Sequence, residues 1–241
     1  METLNKDELF TLALHLDLPS LLNLCRGNKH IDKNLCLRNE IWIYKLQKDF
    51  PDFKKFGVKK SFKNIYQLLF SLTKLKEKLK IKGTIYELYN LQRLNLSDSS
   101  LTEIPKEISN LTNLKTLSLS NNKLSEIPKE IGNLTNLKEF YLQYNRLTEI
   151  PKEIWNLTNL QALNLSGNAL TEISKEIGNL INLQTLDMSY NRLIEIPKEI
   201  GNLTNLKEFY LHHNKLTELP KEIGNLTNLK ELYLQLKYQK K

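Results

Sequence analysis

Cysteine is almost absent: the 241 residues hold two, Cys25 and Cys36, both near the start. That scarcity excludes a disulfide-dense scaffold and a cysteine-based metal site. Two thiols outside any repeated motif read as reduced, in an intracellular chain of the cytoplasm or nucleus. Long apolar runs are missing as well. The opening METLNKDELF is charged, with no basic-then-apolar leader, and no stretch is long enough to span a bilayer. Catalytic constellations are lacking too. Cys25 and His30 lie close in sequence, but a helical core explains them better than a thiol nucleophile. His212 and His213 are adjacent in a strand-turn segment, so their side chains should diverge rather than share a metal. The pairs Glu103/Glu107, Glu126/Glu130 and Glu149/Glu153 are spaced by a repeat register beside lysines, as solvated loop charges rather than an acid-base dyad. No glycine loop offers a phosphate cradle. These absences point away from an enzyme and from any cofactor or metal.

What is present is a repeat. The Ile-Pro step recurs every 23 residues, at Ile104-Pro105, Ile127-Pro128, Ile150-Pro151, Ile173-Ser174, Ile196-Pro197 and Leu219-Pro220. An Asn-Leu pair keeps the same period from Asn90-Leu91 to Asn228-Leu229. Within one copy, Phe140 and Leu142 alternate with Glu139, Tyr141 and Gln143, which is strand period two. Asn145 then turns the chain, its amide able to bond backbone groups that the turn leaves unpaired. Leu147 and Ile150 point back inward, Pro151 fixes φ, and Ile154, Leu157 and Leu160 close the far side. One such coil buries too little apolar surface to repay the ordering of its backbone, so only stacked neighbours sharing a core are stable.

A fixed period in the twenties containing LxxLxLxxNxL resembles the leucine-rich repeat family. The resemblance covers roughly Ile81 to Leu236, within a repeat domain assigned to 81–241, and is nearest to the intracellular 23-residue class of Ras-group proteins. It implies an α/β solenoid, a right-handed array whose strands form a parallel sheet on a concave face. Secreted members of the family cap such arrays with disulfides, and none is expected here. The chain stops soon after Leu229, Leu232 and Leu234, so the last strand is expected to leave an open edge, with Lys237, Lys240 and Lys241 as charged gatekeepers.

Residues 1–50 hold no repeat. Leu9, Leu12, Ala13 and Leu16 share one helical face, with Asn5 placed to cap it. Asp17 and Pro19 punctuate the chain before a second short helix carrying Leu21, Leu22, Leu24 and Cys25. The stretch LNKDELFTLALHLDLPSLLNLCRGNKHI, with Trp42 beyond it, is similar to an F-box. Leu4, Glu8 and Leu9 fill the first block of that pattern, Leu16, Leu18, Leu21 and Leu24-Cys25 the second, and Trp42 the third. Asn5 stands where the family has Pro, and Pro19-Ser20 replaces a Lys-Asp step. The DFPDF…SFKNIYQLL continuation resembles the tail after F-boxes in proteins of large DNA viruses of protists. The resemblance implies a small all-α domain that holds a Skp1-like adaptor through Leu4, Asn5, Leu9, Leu21 and Leu24.

Charge separates the parts. Residues 51–90 carry ten Lys/Arg against three Asp/Glu, while 91–241 carry eighteen against seventeen. The excess lies on lysines from Lys54 to Lys82, read as a solvated helix face rather than a nucleic-acid patch. Within 51–80, a connector, the periodicity predicts a helix from Ser61 to Lys80 with Ile65, Leu68, Leu69, Leu72, Leu75 and Leu79 on one face. Gly83 is placed to end it, and the helix is expected to cap the first coil.

The outward strand columns are where binding is expected. One column runs Arg93, Thr116, Glu139, Ala162, Thr185, Glu208, Glu231, and the next Asn95, Ser118, Tyr141, Asn164, Asp187, Tyr210, Tyr233. Beyond them lie Gln143 and His212, then Tyr144, Tyr190 and His213. Aromatic anchors make Glu139, Tyr141, Tyr144, Asp187, Tyr190, Glu208, Tyr210, His212, Glu231 and Tyr233 the candidate contacts for a protein target. Residues 131–142 and 200–211 are identical, so copying of the repeat remains an alternative origin of the Glu-Tyr pairs. Trp155 stands where other coils have Gly and is expected to pack on the convex side. Two functions follow. One is a non-catalytic substrate receptor of a Skp1-cullin-F-box ubiquitin ligase, acting by proximity. The other is a stand-alone scaffold or inhibitor of a signalling protein, whose head is only a cap. Neither needs a small-molecule substrate or a membrane.

Overall fold

The computed structural model describes residues 6–27, 36–57 and 60–236. Leu4, Asn5, His30, Lys237, Lys240 and Lys241 fall outside them. The chain divides into two units, Met1–Tyr89 and Asn90–Lys241.

The first unit is helical: α1 Lys6–His15, α2 Leu18–Gly27, α3 Asn39–Asp49, α4 Phe62–Lys78 and a short α5 Ile85–Tyr89, with a 3-10 turn at Phe53–Phe56. Asp17 starts α2 by accepting from the Ser20 amide at 2.9 Å, and Pro19 sits in the first turn, where a missing N–H costs nothing. The Ser20 bonds also hold the Asp17 carboxyl below its usual range. The core gathers Leu9, Ala13, Leu21, Ile41, Trp42, Leu46, Leu69 and Leu72. Trp42 Nε1 donates to the Cys36 carbonyl at 2.9 Å, satisfying a buried indole. Lys45 is buried, its Nζ donating to the Leu16 carbonyl at 2.6 Å, and desolvation lowers its pKa. Tyr66 donates to Asp49, and burial followed by that carboxylate raises the phenol.

Two expectations are corrected here. Cys25 and Cys36 are joined as a disulfide, with Cα atoms 6.0 Å apart, a separation suited to that bond; they are not two reduced thiols. Helix α4 has Ser61 as its N-cap, but Gly83 does not end it. The left-handed residue is Lys80, φ 51°. The Ile81 amide donates to Lys76 O at 3.0 Å and the Lys80 amide to Glu77 O at 3.2 Å, a Schellman closure. Gly83 instead leads into a capping box on α5, in which the Glu87 amide donates to Thr84 Oγ1 at 3.1 Å and the Thr84 amide to Glu87 Oε2 at 2.7 Å.

The second unit is a seven-stranded parallel sheet in sequential order: β1 Arg93–Asn95, β2 Thr116–Ser118, β3 Glu139–Tyr141, β4 Ala162–Asn164, β5 Thr185–Asp187, β6 Glu208–Tyr210 and β7 Glu231–Tyr233. Each residue pairs with its counterpart one repeat on, as in Arg93 with Thr116 and Leu117 with Phe140. A five-residue 3-10 turn returns the chain in each coil, starting after Pro105, Pro128, Pro151, Pro197 or Pro220. Ser174 holds φ −64° in the remaining coil, so proline's ring is not required there.

Two asparagine ladders stitch the coils. Asn145 Nδ2 donates to Leu119 O at 2.9 Å and Leu142 O at 3.0 Å, while its Oδ1 accepts from the Leu124 amide at 3.1 Å. Asn122, Asn168, Asn191 and Asn214 repeat the pattern. Such buried amides satisfy backbone groups that no strand pairs. On the return side, Asn136 donates to Thr112 O at 2.8 Å and Asn159 to Thr135 O at 2.8 Å, and the contact continues to Asn228. Trp155 is fully buried with its Nε1 unpartnered. Its turn is packed less closely on the following turn than the other adjacent turns are on each other, so the indole acts as a wedge. A Cβ on Gly132 would meet Glu153 O at 2.4 Å, which shows how close the coils run where glycine is kept.

β7, the last strand among the described residues, pairs on one side only, and its Leu232 is 39% exposed, as expected of an edge strand.

Candidate protein-binding face

Period-two alternation puts Leu117, Phe140, Leu163, Leu186 and Phe209 inside, each no more than 1% exposed, and leaves their flanking residues on the open face of the sheet. The sheet therefore aligns the outward columns in the order read from the sequence. Adjacent strands lie about 4.8 Å apart, so neighbouring members of a column stand side by side.

Glu139 and Tyr141 are half-buried. Thr116 Oγ1 donates to Glu139 Oε2 at 3.2 Å, and the Tyr141 hydroxyl donates to the same oxygen at 3.4 Å. The second copy repeats this: Thr185 donates to Glu208 Oε2 at 3.3 Å and Tyr210 at 3.5 Å. Tyr210 also reaches Glu231 Oε2 at 3.3 Å and stacks on Tyr233, centroids 5.0 Å apart. Desolvation, then the charges of Glu208 and Glu231, push the Tyr210 phenol up to about 12. Tyr141 is raised in the same direction by desolvation and Glu139, against which Arg93 acts. In β5, Asp187 Oδ1 accepts from the Ser189 amide at 2.9 Å and its hydroxyl at 2.6 Å.

The rim column carries an unforeseen feature. Asp98, Asn121, Tyr144, Gly167, Tyr190 and His213 all adopt positive φ, between 52° and 64°. Asp, Asn and Gly suit that conformation, whereas a bulky ring there costs roughly 1–2 kcal/mol. Tyr144 and Tyr190 remain exposed, at 58% and 50%. Gly167 makes room for the first: a Cβ there would lie 2.6 Å from Tyr144 Cδ1. His212 and His213 do not simply diverge. Tyr190 stacks on His213 at 4.4 Å and meets His212 edge-on at 5.2 Å, gathering both rings. Asx and Gly in some coils and rings in others were visible in the sequence, but only the shared φ reveals the strain.

In the head, Leu9 and Leu21 are 1% and 0% exposed, inside the helical core, and Leu24 is half-buried. Sequence reasoning missed a cleft of about 200 Å³ lined by Asp49, Phe50, Asp52, Phe53, Phe56 and Tyr86, among others. Lys55 pairs with Asp52 at 3.0 Å, three residues apart on the exposed surface. Among the described residues, no cluster of three His, Cys, Asp or Glu could hold a metal, and no helix is long and apolar enough to cross a membrane.

A family model described as a leucine-rich repeat region matches residues 50–168 and 150–241. None of the curated proteins matches the chain. Among solved structures, a leucine-rich repeat protein of Leptospira interrogans is 42% identical over 66% of this chain and 47% of its own, with a TM-score of 0.53. The leucine-rich repeat ectodomain of the Arabidopsis thaliana membrane receptor kinase GASSHO1/SCHENGEN3, solved in complex with CASPARIAN STRIP INTEGRITY FACTOR 2, is 41% identical over 61% of this chain and 18% of its own, TM-score 0.56. The PEPR1–AtPEP1 structure is 33% identical over 61% and 22%, TM-score 0.57. The chain spans less than half the length of each.

Proposed function

The chain belongs to the leucine-rich repeat family, and from that premise we propose that it is a non-catalytic protein-binding scaffold whose partner lies on the concave face of β1–β7. The observation that carries this is the pairing of exposed aromatic rings with strained backbone at Tyr144 and Tyr190. A fold retains such residues when something other than its own stability uses them. Tyr141, Tyr210, Tyr233, Glu139, Asp187, Glu208, Glu231 and His212 supply the adjoining surface. Two of the similar structures hold a second component on the same architecture, which supports the reading by analogy.

A photocrosslinking amino acid at Tyr144, compared with one at Lys152 on the return side, tests it in the full chain. Adducts from Tyr144 alone, lost on Tyr210→Ala, are expected. Equal adducts from both positions would contradict it.

The second reading makes the head an F-box that docks a Skp1-like adaptor, so that the chain would be a ubiquitin-ligase substrate receptor. The helical pattern around Leu4, Asn5, Leu9, Leu21 and Leu24, with its virus-like tail, favours it. Against it, Leu9 and Leu21 are consumed by the core, and the Cys25–Cys36 bond suits an oxidising compartment rather than the reducing cytosol of that machinery. Recovery of recombinant adaptor with the full chain, abolished by Leu24→Asp, would restore this reading; no recovery in either redox state would remove it.

A further inference from the structure

Of the three Glu-Tyr strands, β3 and β6 are more than similar sequences, because the structure gives them the same unfilled bonding capacity. In each, both hydrogen bonds to the glutamate go to Oε2, and among the described residues nothing donates to Oε1. Among the described residues, no cation lies within 4 Å of either carboxylate. Two residues past each tyrosine, at equivalent repeat positions, sit Gln143 and His212. Gln143 Oε1 and His212 Nδ1 are shielded from solvent and have no hydrogen-bond partner. Leaving such an atom unpaired costs about 1–3 kcal/mol, so each side chain gains by turning toward an arriving donor. Four other coils place serine here and the seventh places Gln235; the Ser166 and Ser189 hydroxyls find acceptors in Asn164 Oδ1 and Asp187 Oδ1, whereas Gln143 Oε1 and His212 Nδ1 find no partner.

A carboxylate, an aromatic face and an unpartnered polar atom, an acceptor in Gln143 and in the Nε2–H tautomer of His212, together suit a flat cation with several donors. Guanidinium meets all three needs: it binds a carboxylate through paired N–H groups, stacks on a ring and retains donors for a third group. An ammonium ion is rounder and cannot stack, and a phosphate would be repelled.

We propose that the concave face holds two equivalent arginine-recognition sites, Glu139/Tyr141/Gln143 and Glu208/Tyr210/His212, and that its partner is an extended polypeptide with arginines about four residues apart. The spacing follows from geometry. Strands β3 and β6 are three steps apart, roughly 14 Å at about 4.8 Å per step, and an extended chain advances about 3.4 Å per residue. The stacked Tyr210–Tyr233 pair, with Glu231 beside it, makes the second site the more enclosed. This inference rests on the concave-face reading and adds the partner's chemistry to it.

The test uses the full chain and fluorescein-labelled Gly/Ser peptides, read by anisotropy. One carries arginines at i and i+4, and the others carry arginines at i and i+1, lysines at i and i+4, one arginine, or leucines in place of arginine. The i,i+4 arginine peptide is expected to bind at least about tenfold more tightly than each of the others, since one good charged pair is worth that much. Glu139→Gln and Glu208→Gln should each reduce it to the single-arginine level, and the double variant should abolish binding while melting stays unchanged. Equal binding of the arginine and lysine peptides, indifference to spacing, or full binding by the double variant would overturn the proposal. If the leucine peptide binds best and Tyr210→Ala removes it, the arginine proposal fails while the concave face stands as a protein-binding surface. If nothing binds and crosslinking at Tyr144 is also silent, both fail.

Discussion

The head and the array order their chains by opposite means, and the contrast shows what each part of the molecule is free to do. In the head every contact is single. Trp42 has its own carbonyl, Lys45 its own, and one disulfide ties Cys25 to Cys36. Nothing repeats, so each side chain has one job and losing it has no counterpart elsewhere. In the array a job is done again every 23 residues, with Asn122, Asn145, Asn168, Asn191 and Asn214 as five versions of one bond set. Repetition satisfies the interior by rule and leaves the outward columns without a structural task. That freedom is where Glu139, Tyr141, Tyr144, Tyr190 and Tyr210 depart from the serines, threonines and asparagines of other coils.

The largest expected effect probes this equivalence. Phe140→Ala and Phe209→Ala each empty a fully buried site in identical local sequence, and each should cost about 3–5 kcal/mol. Chemical denaturation giving values that differ by more than about 1 kcal/mol would break the idea that the coils are interchangeable inside. Next is the head's single staple. Cys25→Ser with Cys36→Ser opens a closed loop of 11 residues, worth about 3 kcal/mol in chain entropy. Exchange at the amides of α2 and α3 should quicken accordingly, and the parent protein should match the variant after reduction. Unchanged protection would show that the bond is incidental to the head.

Smaller and opposite in sign is Tyr144→Asn. Asn tolerates φ 56° where Tyr does not, so stability should rise by about 1 kcal/mol while crosslinking or peptide binding weakens. A loss of stability would mean that the ring is structural. The smallest effect is a titration. Tyr210 is raised to about 12 by desolvation and by Glu208 and Glu231, whereas an unfolded tyrosine ionises near 10. The unfolded chain therefore gives up this proton first, so the contribution is intact below pH 10 and is lost as pH climbs through about 12. Tyrosinate absorbance of Tyr210→Phe should match that of the parent up to about pH 11 and fall below it afterward; a difference already present near pH 10 would contradict the assignment.

The array was legible because periodicity is redundant evidence. Ile104-Pro105 alone says little, but its recurrence fixed the strands, the turns and the column assignments. Ser174 shows the tolerance of that code, holding proline's φ without proline. The second ladder, from Asn136 to Asn228, was visible only as a register mark because its bonds reach across 24 residues to backbone carbonyls. In the head no copy existed to check a reading. Gly83 looked like a helix stop, yet Lys80 closes α4 because the Schellman bonds hold a left-handed residue there. Cys25 and Cys36 looked unpaired because spacing alone does not say which way α2 and α3 face. The strain at Tyr144 and Tyr190 could not be read because φ is set by the coil, not by the residue that occupies it.

The central claim is that inward polar residues hold the array while outward aromatics leave it free to bind. Coil six carries both kinds four residues apart, so one denaturation experiment on two variants decides it. Asn214→Ala removes donors to Met188 O at 2.9 Å and Leu211 O at 3.0 Å and an acceptor for the Leu193 amide at 3.0 Å. The account predicts a loss of about 3–5 kcal/mol for that variant and no more than about 1 kcal/mol for Tyr210→Ala. Equal losses, or a larger one for Tyr210→Ala, would contradict it.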